Sequence, residues 1–414
     1  MRNGAHRDEA EQRQVQYLTS TTVHTRLGQV LEEHGHRLVR AELVDLQHRP
    51  GAGATGIFRV RATPVESGGS PEPQELFLAL TAEAVPEDGV IVAGQDADAT
   101  WSAWFHPHDP LLTGLALASD PDSVVSLWGG GGALVDLQTI SYRPLRRAVL
   151  RAVVSGDTGQ RTLFLKVMRP GLATRLHHRH TLLAAAGVPV PAVLGPPVAD
   201  VLALEQGQGA VLATAIMADG ARHIQPADVL GVLDRMPQEL VELPRREAWS
   251  DRIVDYGHAA ATALPGQAQR IRSLVEHLRR QLDTTDRGPV VPTHGDFYEA
   301  NLLVSRNRIS GVLDIDGAGP GHRVDDLACF LGHLAVLPAV DHRYVYVDQA
   351  LRRFHSSFVA GVDPAALACR SSAVALSLVA GARDSGRRDW QASARQRLDI
   401  AESLLALPQS AAGW

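Results

Sequence analysis

The chain has 414 residues, 45% hydrophobic and 21% charged, a composition that excludes a wholly disordered or collagen-like protein. Its formal net charge is −6, from 40 Lys and Arg against 46 Asp and Glu, which gives no electrostatic ground for a dedicated nucleic-acid binder. Two cysteines, Cys329 and Cys369, are too few for a disulfide framework and read as buried thiols in a reducing compartment.

Met1 to Gln16 carries no apolar segment of the kind a secretory signal needs. The longest apolar stretch, Leu327 to Val340, is interrupted by Gly332, His333 and Pro338 and falls short of the roughly 20 residues that cross a bilayer. A cytoplasmic protein without membrane or nucleic-acid partners is therefore expected; nothing sets its oligomeric state. Residues 1–19 read as a polar, flexible leader, and residues 20–128 as an N-terminal cap. Within the cap, Leu27, Val30, Leu31 and Leu38 follow a helical period. Strand-like runs follow at Gly56 to Ala62 and Glu75 to Leu80, separated by a Gly/Pro/Ser-rich loop from Glu66 to Glu72. His106 and His108 flank a proline and read as a turn in preference to a metal site. Gly129 to Gly132 reads as a flexible joint.

Beyond the joint the pattern changes to a β meander. Leu134 to Ser141, Arg147 to Val154 and Arg161 to Met168 predict three strands, the last entered through the turn Gly156 to Gly159. A helix is expected over Ala173 to Ala186, stopped by Gly187 and two prolines. The apolar run Ala210 to Met217 reads as a buried strand stopped at Ala218-Asp-Gly220, with a hinge between lobes near Ile216 to Gly220; helical patterns then cover Val229 to Leu240, Trp249 to Leu264 and Ala268 to Leu282. The fold class expected is α+β in two lobes, a small sheet lobe over 133–217 and a larger helical lobe over 218–414.

Lys166 is the only lysine in the chain. Period-two alternation puts it on one strand face with Phe164 and Met168, opposite Leu163, Leu165 and Val167. A second informative stretch is His294-Gly-Asp296, with Asn301 five residues on and Asp314 further along. Val304 and Ile309 flank a polar tetrapeptide that reads as a hairpin turn. Folding that hairpin brings Asn301 near Asp314, with Asp296 on the loop before it. Oxygen donors of this kind suit Mg²⁺, which binds through one or two protein groups plus phosphates.

His294-Gly-Asp296, Asn301, Asp314 and Asp325-Asp-Leu-Ala328, in that order, resemble the aminoglycoside phosphotransferase family, with its protein-kinase-like two-lobe fold. The resemblance covers about Leu134 to Leu405. It implies an ATP-dependent kinase acting on a hydroxyl of a sugar-like, aminoglycoside-like or other small hydroxylated molecule. Asp296 is then the catalytic base, Asn301 and Asp314 are the Mg²⁺ ligands, and Lys166 is the phosphate contact. His294 is a packing residue and Asp326 a carboxylate that braces the loop; Asp316 is either a second metal contact or a turn cap. Ala215 and Met217 are the adenine contacts of the hinge.

Two departures from the family pattern bear on the expectation. No Asp or Glu lies between Asp157 and Asp200, so the helix glutamate that pairs with the lysine is missing; His177, His178 and Arg179 stand there, read as a solvated basic face. The turn Tyr142 to Arg147 carries no glycines, and Arg146 and Arg147 either replace them as phosphate contacts or are ordinary exposed arginines. A nucleotide-binding pseudokinase or interaction protein is the alternative that these departures suggest. An N-terminal cap also resembles the layout of bacterial maltokinases. Asp251, Asp255, Glu299, Asp341 and Asp348 are candidate carboxylates for a cationic acceptor, with arginines interspersed.

Overall fold

A computed structural model describes residues 2–49, 53–65, 72–86, 90–95, 100–156, 159–386 and 388–407. The expected loop at 66–72, apart from its last residue, and the centre of the turn at 156–159 lie outside the described residues. The chain divides into two compact units, one of residues 1–177 with 193–206 and the other of residues 178–192 with 207–414.

The first unit opens with helices α1 (Arg2–Thr19) and α2 (Val23–Glu33). The leader is thus helical, and Leu18 near its end is buried. Strands β1 (His36–Arg49), β2 (Gly53–Pro64), β3 (Gln74–Thr81), β4 (Ile91–Gln95) and β5 (Thr100–Phe105) form one antiparallel sheet in the order β1-β2-β3-β5-β4. Leu18, Leu27, Val30 and Leu31 of the helices pack on Phe58, Val60, Leu78, Leu80 and Trp101 of that sheet. Leu38, expected on the helix, lies instead on β1. The helix stops before Gly35, whose φ of 72° is a left-handed conformation that glycine adopts without cost.

Helices α3 (Leu115–Ser119) and α4 (Pro121–Trp128) follow. Then β6 (Ala133–Arg143), β7 (Arg147–Gly156), β8 (Gly159–Met168) and, after α5 (Leu172–Ala185), β9 (Val201–Glu205) make a second antiparallel sheet in chain order. Alternate residues of β7 and β8 are buried, among them Leu150, Ala152, Leu163, Leu165 and Val167, so the period-two reading holds. What covers that face is Leu112, Leu115, Val124 and Trp128, residues expected to belong to the cap.

A buried carboxylate ties the two sheets together. Asp109, 3% exposed, accepts the backbone N–H groups of Leu111 and Leu112 at 2.9 and 3.0 Å on one oxygen. Its other oxygen accepts the Tyr142 hydroxyl and the Leu145 N–H, both at 2.8 Å. Trp104 of β5 donates its indole N–H to the same Tyr142 oxygen at 3.0 Å. The β6–β7 turn at Leu145, which is buried with a φ of 62°, is therefore anchored from the first sheet.

The second unit contains β10 (Ala210–Val211), α6 (Leu212–Asp219), α7 (Pro226–Asp234), α8 (Ile253–Ala263) and α9 (Ala268–Thr284). The expected strand is thus mostly helix α6. Its run of Ala, Leu and Met has high helix propensity, and Gly220 closes it in the left-handed conformation at φ 70°. Strand β11 (Val290–Thr293) leads to a loop at 294–301, followed by β12 (Leu302–Ser305), β13 (Arg308–Val312) and β14 (Gly319–His322). Helices α10 (Arg323–Val340), α11 (Val347–Phe358), α12 (Pro364–Ser377) and α13 (Trp390–Ser403) complete the unit. Residues 364–383 are long and apolar enough to cross a membrane, but 72% of that window is buried. Ala368, Ala375 and Leu376 pack there against Leu274, Leu278 and Leu398, the setting of a core helix.

Candidate active site

The loop between β11 and β12 is built on a short chain of hydrogen bonds. The Asp326 carboxylate, 2% exposed in the first turn of α10, accepts the N–H groups of His294 and Gly295 at 2.7 and 2.9 Å. Burial pushes this carboxyl up to about 7 against the pull of those two donors. Gly295 has a φ of 79°, and a Cβ there would lie 2.8 Å from the Gly317 carbonyl oxygen, so only glycine fits. The expected loop-bracing role of Asp326 rests on this geometry.

His294 is fully buried, and burial lowers its pKa. Its Nε2 lies 2.9 Å from the Leu313 carbonyl oxygen, while its Nδ1 accepts the Asp296 N–H at 3.2 Å. A carbonyl requires a donor and an amide requires an acceptor, so the ring is neutral with its proton on Nε2. His294 links the loop to the end of β13.

Asp296 projects from this frame. Burial raises its carboxyl pKa, opposed by Arg246. Trp249 donates its indole N–H to Oδ1 at 3.2 Å, and an Arg246 nitrogen lies 3.9 Å from Oδ2. Asn301, 7% exposed, donates its side-chain amide to the Asp296 backbone carbonyl at 2.9 Å. That bond commits the nitrogen, so the amide oxygen is what Asn301 has left to offer a cation.

The hairpin forms as expected. Leu302 pairs with Val312 and Ser305 with Arg308, around the two-residue turn Arg306-Asn307 with φ of 50° and 60°. The Leu313 N–H donates to the Asn301 carbonyl at 2.8 Å, which sets Asp314 one residue beyond Asn301's backbone partner. Asp314 itself has a φ of 53°, a left-handed conformation uncommon outside glycine and enriched in Asp and Asn. Asp296, Asn301 and Asp314 thus belong to one loop-and-hairpin. Among the described residues no group of three or more His, Cys, Asp or Glu side chains could hold a metal ion. Asn301 and Asp314 fit a hard cation that draws its remaining ligands from phosphates and water.

The other expected site residues lie on other elements. Lys166 is partly buried on β8, opposite Val149 of β7 and Leu202 of β9, in the first unit. Arg146 and Arg147 are partly buried at the β6–β7 turn of that unit. Ala215 and Met217 lie inside α6, where backbone groups serve the helix, so the adenine-contacting role expected of an extended segment there is withdrawn. The chain leaves the first unit at Gln206, directly after β9. The expected solvated basic face is partly buried. Arg179 and His180 are 8% and 3% exposed, and Arg179 donates its Nε–H to the Ala318 carbonyl at 2.7 Å. It thereby holds the backbone that follows Asp314.

Arg246 and Trp249, which touch the Asp296 carboxylate, lie 50 and 47 residues upstream of it, and no spacing in the sequence announces them.

The sequence profile of the phosphotransferase enzyme family matches residues 142–361, 220 of the 414 residues. No curated protein sequence matches the chain. Among solved structures, a thermostable mutant of aminoglycoside phosphotransferase APH(4)-Ia, in ternary complex with ADP and hygromycin B, is similar at 17% identity and a TM-score of 0.47. The match covers 69% of this chain and 98% of that one. A choline/ethanolamine kinase family protein from Mesorhizobium loti is 18% identical, with coverage of 71% and 93% and a TM-score of 0.47. The macrolide 2'-phosphotransferase MphH from Brachybacterium faecium is 20% identical, with coverage of 68% and 98% and a TM-score of 0.38.

Proposed function

The chain belongs to the phosphotransferase enzyme family and is a small-molecule phosphotransferase with a hydroxyl acceptor, and on that premise we propose that it transfers the γ-phosphoryl group of ATP with Asp296 as the base. The observation that carries this reading is that Asp296, Asn301 and Asp314 stand on one loop-and-hairpin, tied by the Asn301 amide to the Asp296 carbonyl and by the Leu313 N–H to the Asn301 carbonyl. Asn301 and Asp314 are the residues that would hold Mg²⁺, whose chemistry is to bridge and neutralise nucleotide phosphates. Lys166, and at the β6–β7 turn Arg146 and Arg147, are the proposed phosphate contacts of the first unit.

Asp296 does two things in this reading. It orients the acceptor hydroxyl and accepts its proton as the oxygen–phosphorus bond forms and the bond from the γ-phosphorus to the ADP oxygen breaks. Burial favours that role, because a desolvated carboxylate binds a proton more readily than one in water. The Trp249 N–H bond holds the carboxylate in place. Presence of Asp296, Asn301 and Asp314 together favours transfer over nucleotide binding alone.

The test is Asp296→Asn, which keeps size and removes the proton acceptor. Phosphorylated acceptor formed at matched nucleotide occupancy should drop by about 10²–10⁴-fold, with nucleotide binding retained. Equal product from both proteins removes Asp296 from the mechanism.

A further inference from the structure

The acceptor side of Asp296 has a definite chemical character. Trp249, bonded to Asp296, stacks on Tyr256 with ring centroids 5.7 Å apart and an interplanar angle of 29°. Its edge meets His333 at 5.7 Å, and His333 stacks on Tyr298 at 4.3 Å, the residue two past Asp296. Burial pulls the His333 pKa down to about 4, so that ring is neutral at physiological pH. The cations at this wall are arginines. Arg246 faces the second Asp296 oxygen, and the Arg252 guanidinium lies over the Tyr256 ring, 5.1 Å from its centroid.

Arg246 is seated and does not simply dangle. A Cβ at Gly317 would lie 2.8 Å from its Cδ and 2.7 Å from a guanidinium nitrogen, so the side chain crosses the loop where there is no side chain to obstruct it.

Of the five carboxylates that the sequence offers to a cationic acceptor, three are paired with arginines, one is buried, and Asp348 is exposed on α11. Asp251 is held by Arg245 at 3.0 Å and Arg287 at 2.9 Å. Asp255 pairs with Arg252 at 3.6 Å, and Asp341 with Arg343 at 2.6 Å. Glu299 is 3% exposed inside the protein. A polycation needs a surplus of carboxylates around it, and a quaternary ammonium needs open aromatic faces. Here Asp251, Asp255 and Asp341 have arginine partners, and the Tyr256 ring already carries a guanidinium.

We propose that the acceptor is a hydroxylated ring compound without positive charge, a neutral sugar or a sugar acid, selected by the arginines at this wall, Arg246 above all. This rests on the reading of Asp296 as the base that meets the acceptor hydroxyl. Arg246 offers donors to the hydroxyls or carboxylate of such a compound beside Asp296.

The experiment uses the full chain with Mg²⁺ and ATP and a panel of matched compounds: hexoses and their glycosides, the corresponding uronic and aldonic acids, the corresponding amino sugars, aminoglycosides and choline. Binding is read by thermal shift and transfer by ADP release with product identified by mass. A neutral or acidic member should be used with kcat/KM at least about 10-fold above any cationic one. Arg246→Glu should narrow or invert that ratio, with its thermal midpoint confirming that it folds. Preferred use of an amino sugar, an aminoglycoside or choline overturns the proposal, as does failure of every neutral and acidic ring compound to bind. If a cationic acceptor is phosphorylated and Asp296→Asn abolishes that transfer, the acceptor class is wrong and the base stands. If Asp296→Asn transfers as well as wild type, the base itself falls.

Discussion

The loop at 293–301 and the β6–β7 turn at 143–147 are two tight backbone features stabilised in opposite ways. The first carries its own pattern: His294, Gly295, Asp296 and Asn301 bond to one another or to nearby strand ends, and one distant carboxylate, Asp326, caps the arrangement. The second has no glycine and no local pattern. Its central Leu145 is held in a left-handed conformation by Asp109, 36 residues away. A motif is legible when its partners are neighbours in sequence. When the partner is remote, the same degree of order leaves only an unremarkable string such as Tyr142-Arg-Pro-Leu-Arg-Arg147.

The comparison is broken most severely at Asp326. Asp326→Ala leaves the His294 and Gly295 N–H groups buried without an acceptor, at roughly 1–3 kcal/mol each. We expect a large drop in the midpoint of denaturant unfolding, and phosphoryl transfer lost with it. A variant as stable and active as wild type would mean that the loop does not depend on its brace.

The turn is broken at Asp109. In Asp109→Asn one carboxylate oxygen becomes an NH₂ facing two donors, so two of four bonds are lost, at a cost of about 2–3 kcal/mol. Hydrogen exchange separates the two regions: the Leu145 amide should lose protection while the His294 and Gly295 amides keep theirs. Loss of protection at both would show that the two features do not fail independently.

The Asp326 brace makes stability depend on pH. Asp326 titrates at about 7 in the folded protein, raised mainly by burial, with Asp325 also raising it and Arg323 and the two loop amides lowering it. A carboxyl whose folded pKa lies above its unfolded value holds its proton more tightly when folded. Its contribution to stability is therefore full below the unfolded value near 4 and is lost as pH rises through about 7. Asp326→Asn should flatten the fall in stability over that window, measured as unfolding free energy against pH. An unchanged slope assigns the effect to other groups.

Much of the second unit could be read in advance because it is local. The 304–309 turn and the helix over 268–284 follow from period and turn chemistry. Failures came where periodicity is silent. Ala210 to Met217 is apolar except for Thr214, and so short an apolar run does not distinguish strand from buried helix. Arg179 looked like one of several basic residues on an open face; its partner, the Ala318 carbonyl, is 139 residues away. Arg246 and Trp249 escaped for the same reason, although they touch the one carboxylate that the motif identifies most clearly.

The Asp109 cluster bears on where this chain can be cut. The glycine run at 129–132 looks like a natural seam, and the family profile starts later, at residue 142. A shortened protein beginning at Ala133 would retain every motif residue from Lys166 to Asp326. It would also strip Leu112, Leu115, Val124 and Trp128 from the face of β7 and β8, and take away the acceptor for the Tyr142 hydroxyl and the Leu145 amide. The seam in the text is thus not a seam in the fold: what precedes the motif-bearing region supplies part of its interior.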